Sequence, residues 1–149
     1  MSNATPEFKQ QLKEAFDAIQ IGRTFTFRRT FTDGDVTLFC GVTGDYNPYH
    51  IDEPFIQGSW FGRRIIPGLL TASMATHIGG MIGFLATEMN FQYVQAVYVG
   101  DTITCTVTFT EKDEAKRMLS AKVTYVNQDG VEVLTGTFSG FPANVRLAH

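Results

Sequence analysis

The sequence predicts an α+β fold in which an antiparallel β-sheet wraps around one long apolar helix. Three observations lead there. Residues 65–87 carry no formal charge, and the segments after them alternate apolar and polar residues like strands. The 149 residues, 44% hydrophobic and 13% aromatic, suffice for one domain with a real core and leave little room for a second. A helix apolar on all sides needs cover all round, which a wrapped sheet supplies, although layer packing alone allows other α+β arrangements too.

Each element has its own signal. Ser2-Asn3-Ala4 reads as the scar of an expression tag. Thr5-Pro6-Glu7 then supplies an N-cap, a proline at the first helical position and an early acid. Phe8, Ala15, Phe16 and Ile19 follow at helical spacing, and Gly22 ends this opening helix. Residues 1–22, scar and helix, are thus set apart from a single domain over 23–149. Phe25, Phe27 and Phe31 alternate with Thr26, Arg28 and Thr30 as a strand. Thr32, Asp33 and Asp35 are a cap with first-turn acids, opening a short helix through Val36, Phe39 and Cys40 that stops near Gly44.

A polar segment runs from Asp45 to about Gly62, and the long helix follows. Strands are then expected over 90–98, 101–110, 118–127 and 131–141. In the second of these, Thr102, Thr104, Thr106 and Thr108 alternate with Ile103, Cys105, Val107 and Phe109, one wet face against one dry. Asn127-Gln128-Asp129-Gly130 is a hairpin turn with glycine where a positive φ is wanted. A single such sheet leaves an open edge, so dimerisation by sheet extension is expected.

Composition excludes several classes of function. Twelve basic against fifteen acidic residues give a net charge of -3, with no Lys/Arg-rich run, which argues against nucleic acid or an anionic membrane as partner. Cys40 and Cys105 are too few for a disulfide framework or a four-ligand zinc site, so a reducing cytoplasm is the expected compartment, with no metal. Residues 65–87 are long enough to cross a bilayer. Pro67, Gly79-Gly80 and the scattered Thr71, Ser73, Thr76 and His77 argue instead for a helix buried in protein. His77, alone in that apolar run, reads as a satisfied core histidine. Arg63 and Arg64 read as a solvated pair rather than phosphate clamps.

The segment richest in chemistry is Asp45-Tyr46-Asn47-Pro48-Tyr49-His50. Pro48 fixes its own φ and biases Asn47 away from helix, so the loop is stiff and can aim two side chains at one point. Two readings fit the residues themselves. Asp45 and Asn47 form an Asx-type turn that closes the preceding helix with His50 capping it, or Asp45 and His50 are an acid-base pair.

The string D-x-N-P-x-H, present as Asp45, Asn47, Pro48 and His50, resembles the signature of the MaoC-like, or hydratase-2, branch of hot-dog enzymes. The resemblance extends to 61–70 and 98–102 and spans about residues 23–142. It implies the hot-dog fold and (R)-specific hydration of a trans-2-enoyl-CoA to an (R)-3-hydroxyacyl-CoA, a lyase reaction of fatty-acid type. Asp45 and His50 would hold and activate the water, which of them is the base being left open. Asn47 would orient the loop, the Gly68 N–H would meet the thioester oxyanion, and Thr76 would match a family serine near the pair. No cofactor is implied beyond the coenzyme A of the substrate, and the chain is expected as a homodimer or higher oligomer. Pro67 stands where many members of that family have histidine, which removes a side-chain donor. A hot-dog acyl-CoA thioesterase and a non-catalytic acyl-thioester-binding module are the alternative readings.

Overall fold

The computed structural model describes residues 4–142; residues 1–3 and 143–149, and with them part of the tag scar and the end of the expected domain, lie outside the described residues. The chain opens with α1 (Pro6–Ala18), in which Thr5 Oγ1 accepts the Phe8 N–H as an N-cap. The helix ends at Ile19 rather than Gly22; Gly22 instead serves the turn into the sheet, with φ +87° and its N–H on Phe109 O. Strand β1 (Thr24–Thr30) follows, then α2 (Asp33–Thr43). Thr32 and Asp35 form a reciprocal capping box at the start of α2, and Gly44, at φ +74°, closes its end in the left-handed conformation glycine favours.

The expected polar segment holds two short helices, α3 (Pro48–Ile51) and α4 (Glu53–Gln57), each with an Asx cap and a proline in its first turn. The expected long helix is shorter and broken. It comprises α5 (Gly68–Ala72) and α6 (Met74–Met81), joined at Ser73. The Ala72 carbonyl beside this break accepts the hydroxyl of Tyr125 at 2.7 Å. Residues 84–87 belong not to the helix but to β2 (Phe84–Tyr93), which therefore begins and ends earlier than the strand expected over 90–98. Helix and strand share one uncharged run here, and periodicity does not mark where one gives way to the other. Among the described residues no helix is long and apolar enough to cross a membrane.

Three long strands complete the chain: β3 (Thr102–Asp113), β4 (Met118–Val126) and β5 (Glu132–Pro142). All pairings are antiparallel and the order is β1-β3-β4-β5-β2. The threonine alternation of β3 reads out as expected, since Ile103, Cys105, Val107 and Phe109 are buried and the threonines between them are not. Those four, with Val123 and Tyr125 of β4 and Leu134 of β5, pack against Ala72, Met74, Ala75 and Ile78 of the broken helix in one core. Gly130 takes φ +79° in the β4–β5 turn. The outer strand β2 presents Leu85, Met89 and Tyr93 to the surface.

Candidate functional site

The left-handed Gly44 ends α2 and turns the chain so that Asp45 follows at once. The loop is then built from side-chain to backbone bonds. Thr43 Oγ1 accepts the Asp45 N–H, Asp45 Oδ1 accepts the Asn47 N–H and Asn47 Oδ1 accepts the Tyr49 N–H, each at 3.2 Å. The Asx turns of the structural reading are therefore present, and Asn47 caps α3. They do not exhaust Asp45, whose Oδ2 lies 3.8 Å from His50 Nε2. His50 is buried, and its Nδ1 lies 2.8 Å from the carbonyl oxygen of Ile65. A carbonyl only accepts, so Nδ1 carries a proton, and in the neutral form of the imidazole it is Nε2 that is left bare to face Asp45.

A gap of 3.8 Å is too long for a direct bond, yet one water oxygen at about 2.8 Å from each atom fits between them. Both atoms are acceptors, so such a water gives one O–H to each and turns its lone pairs away from them.

That gap opens on a cavity of about 560 Å³ lined by Asp45, His50, Pro67, Gly68 and Thr71 and walled by apolar side chains including Phe39, Leu69, Tyr93 and Val97. Gly68 begins α5, so its N–H has no acceptor inside the helix. A side chain at this position would force the Tyr93 ring to move, since its Cε1 would lie 2.6 Å from an added Cβ. Residues 94–97, expected as strand, leave the sheet and form one wall of the cavity. Ile66 N–H is held there by Val97 O at 2.7 Å.

The structure thus brings together Asp45, Asn47, His50 and Gly68. Thr76 stands apart: it is exposed on α6, its hydroxyl donates to Ser73 O at 2.6 Å, and it lines a second apolar cavity of about 200 Å³. Of the hydroxyl residues on α5 and α6, the one that lines the first cavity is Thr71, three residues after Gly68 and so on the same helical face, a signal the spacing already carried. Tyr93 had no comparable signal. His77 is not a core residue either; it is exposed and stacked on Phe27 with ring centroids 3.9 Å apart.

The loop's support is aromatic and ionic. Tyr49 meets Phe55 and Phe61 edge to face, and the exposed Trp60 lies against Phe61 at the cavity's rim. Arg64 is no solvated partner of Arg63: it bridges Asp33 of α2 and Glu53 of α4, while Arg63 lies over the Tyr98 ring. Asp101, buried, accepts the Tyr98 N–H at 2.9 Å and fixes the turn into β3. Among the described residues no three His, Cys, Asp or Glu side chains gather at metal-ligand spacing.

A five-stranded antiparallel sheet curled over a broken apolar helix is the architecture of a hot-dog protein. The chain belongs to the family of the MaoC like domain, whose model matches residues 16–131. It is 29% identical over 113 residues to an (R)-specific enoyl-CoA hydratase of Rhodospirillum rubrum, covering 73% of this chain and 78% of that one. It is 30% identical over 125 residues to a mitochondrial 3-hydroxyacyl-[acyl-carrier-protein] dehydratase of Solanum lycopersicum, covering 79% and 74%. The solved (R)-hydratase of A. caviae, involved in PHA biosynthesis, superposes with a TM-score of 0.80 at 25% identity, over 83% of this chain and 97% of that one.

Proposed function

We propose that the protein adds water to a trans-2-enoyl-CoA, giving an (R)-3-hydroxyacyl-CoA, and catalyses the reverse dehydration. The observation that carries this reading is the 3.8 Å separation of Asp45 Oδ2 and His50 Nε2, two acceptors facing one point at the mouth of an apolar cavity. A water between them loses one proton to the pair as its oxygen bonds to the β-carbon. The π electrons of the α,β double bond move toward the thioester, whose oxygen gains negative charge, and the Gly68 N–H meets that oxygen. The captured proton then goes to the α-carbon, which closes the proton balance without a cofactor.

The cavity's mainly apolar walls suit an acyl chain. The (R) hand and the coenzyme A carrier are taken over from the relatives. The exposed apolar residues Leu85, Met89 and Tyr93 on the outer strand β2 suit pairing with a second copy, so the working form is a homodimer.

The test is loss of enoyl-thioester absorbance on crotonyl-CoA and on longer and branched enoyl thioesters, with the product offered separately to (R)- and (S)-specific 3-hydroxyacyl-CoA dehydrogenases. Absorbance loss with product accepted only by the (R) enzyme is expected. Silence on every enoyl thioester, or release of free thiol instead, rejects the proposal.

A further inference from the structure

Thr71 breaks a pattern that the other helical hydroxyls keep. Thr37 donates to Asp33 O at 3.0 Å, Thr43 to Phe39 O at 2.8 Å and Thr76 to Ser73 O at 2.6 Å, as does Ser73, at the helix break, to Leu70 O at 2.6 Å. Each returns its proton to a carbonyl three or four residues back, the usual resting bond of a helical Ser or Thr. Thr71 Oγ1 makes no such bond and has no other partner, although the residue is only 2% exposed. Its backbone is satisfied, since its N–H donates to Pro67 O at 3.2 Å.

A buried hydroxyl without a partner costs stability, and valine would fill the same space without that cost. The position of the orphan gives it a use. Thr71 lines the cavity that holds Asp45, His50 and Gly68, and it stands one helical turn after Gly68 on the same face. Helical side chains lean toward the N-terminus, which here is toward Gly68. A helical threonine populates two χ1 rotamers, so the hydroxyl can turn to a ligand while the helix stays in place.

We infer that Thr71 is a catalytic residue, the second hydrogen-bond donor to the thioester oxygen beside the Gly68 N–H. The inference rests on the hydratase reading above. As the water oxygen bonds to the β-carbon, the π pair displaced toward the thioester leaves an enolate oxygen with room for two donors. Pro67, next to Gly68, has neither an N–H nor a polar side chain, so it supplies none. A hydroxyl donor bonds the charged enolate oxygen more strongly than the neutral thioester carbonyl, so it favours the transition state over the ground state and raises turnover more than affinity.

The experiment compares wild type, Thr71→Val and Thr71→Ser as full chains in three measurements: steady-state hydration of crotonyl-CoA, thermal melting, and calorimetric affinity for acetoacetyl-CoA, whose enolate carries the same oxyanion. Thr71→Val is expected to lower kcat by about 10–100-fold with KM changed less than about threefold, while melting at or above the wild-type temperature. Thr71→Ser, which keeps the hydroxyl, should restore most of the rate. A Thr71→Val enzyme with wild-type kcat overturns the inference and leaves the hydratase reading standing. If wild type hydrates no enoyl thioester, the hydratase reading has failed and the affinity measurement decides for Thr71. Wild type binding acetoacetyl-CoA at least about tenfold tighter than Thr71→Val keeps the hydroxyl as an oxyanion donor. Equal affinities, or no binding, overturn it.

Discussion

His50 is held through Nδ1 by the carbonyl oxygen of Ile65, 2.8 Å away, so that its other nitrogen faces Asp45. One hydrogen bond across fifteen residues of chain therefore sets both the tautomer and the aim of the imidazole. It also ties the Asp45–His50 loop to the segment that leads into α5, where Gly68 stands.

Replacing either member of the pair tests the proposed reaction. Asp45→Asn removes the carboxylate, and His50→Asn removes the basic nitrogen while its amide N–H takes the place of Nδ1–H toward the Ile65 carbonyl. Each is expected to lower kcat by about 10²–10⁴-fold with the circular dichroism spectrum and melting cooperativity retained. Near wild-type turnover in either variant would mean that the water is not held between them.

The close approach of Tyr93 to Gly68 makes a second prediction. An alanine Cβ at 68 would come within 2.6 Å of the Tyr93 ring, which is about half exposed and has room to swing. Gly68→Ala should therefore fold, yet lose about tenfold or more in kcat as the ring is pushed and the N–H is crowded. The double variant Gly68→Ala, Tyr93→Ala should recover part of that loss, a non-additive effect expected of residues in contact. Strictly additive losses in the double-mutant cycle would show that the two positions act independently.

Acid stability should depend on Asp35. Burial acts to raise its pKa, but the Thr32 N–H at 2.8 Å and hydroxyl at 3.0 Å, with the Arg29 guanidinium, outweigh burial and hold the carboxyl below its ordinary 3.8. A depressed native pKa contributes stability above the ordinary carboxylate pKa and loses it as pH falls through the native value. Asp35→Asn should lower the urea midpoint at pH 7 and lose less between pH 7 and about pH 3 than wild type does. Parallel acid limbs in the two proteins would remove Asp35 from the account.

The alkaline limb has the opposite sign. Burial pushes the Cys105 thiol from 9.0 up to about 12, and burial likewise raises the Tyr125 hydroxyl above its ordinary 10.0. The unfolded chain gives up these protons first, so their contribution is whole below about pH 9 and fades as pH rises toward the native values. Urea midpoints should fall from about pH 9 upward, and a thiol reagent should label Cys105 only as the protein unfolds. Rapid labelling of both thiols in native protein at pH 8 would contradict the burial of Cys40 and Cys105.

Local chemistry made much of this molecule legible in its sequence. Thr32 with Asp35, and Gly44 twelve residues on, mark both ends of α2 because caps are satisfied within a few residues of chain. The alternation of threonine with Ile103, Cys105, Val107 and Phe109 marks a strand because side chains on a pleat face opposite ways. Asp45, Asn47 and His50 announce a stiff polar loop through Pro48 alone. Less legible was the run at 65–87, where a helix breaks at Ser73 and ends at Met81 before β2 starts at Phe84, since all three pieces share one uncharged, largely apolar composition whether buried, as in α5, or exposed, as at Leu85.

The sequence by itself determined the fold class, the caps, the strand faces and the identity of the loop that carries Asp45 and His50, because each depends on neighbours within about a helical turn or a strand pair. Only the tertiary structure decided that Asp45 Oδ2 and His50 Nε2 stand 3.8 Å apart, that Tyr93 covers Gly68, and that Thr71 rather than Thr76 lines the cavity beside them. Those are contacts between segments far apart in the chain, and their distances are set by how the sheet closes over the broken helix rather than by the local preference of any residue.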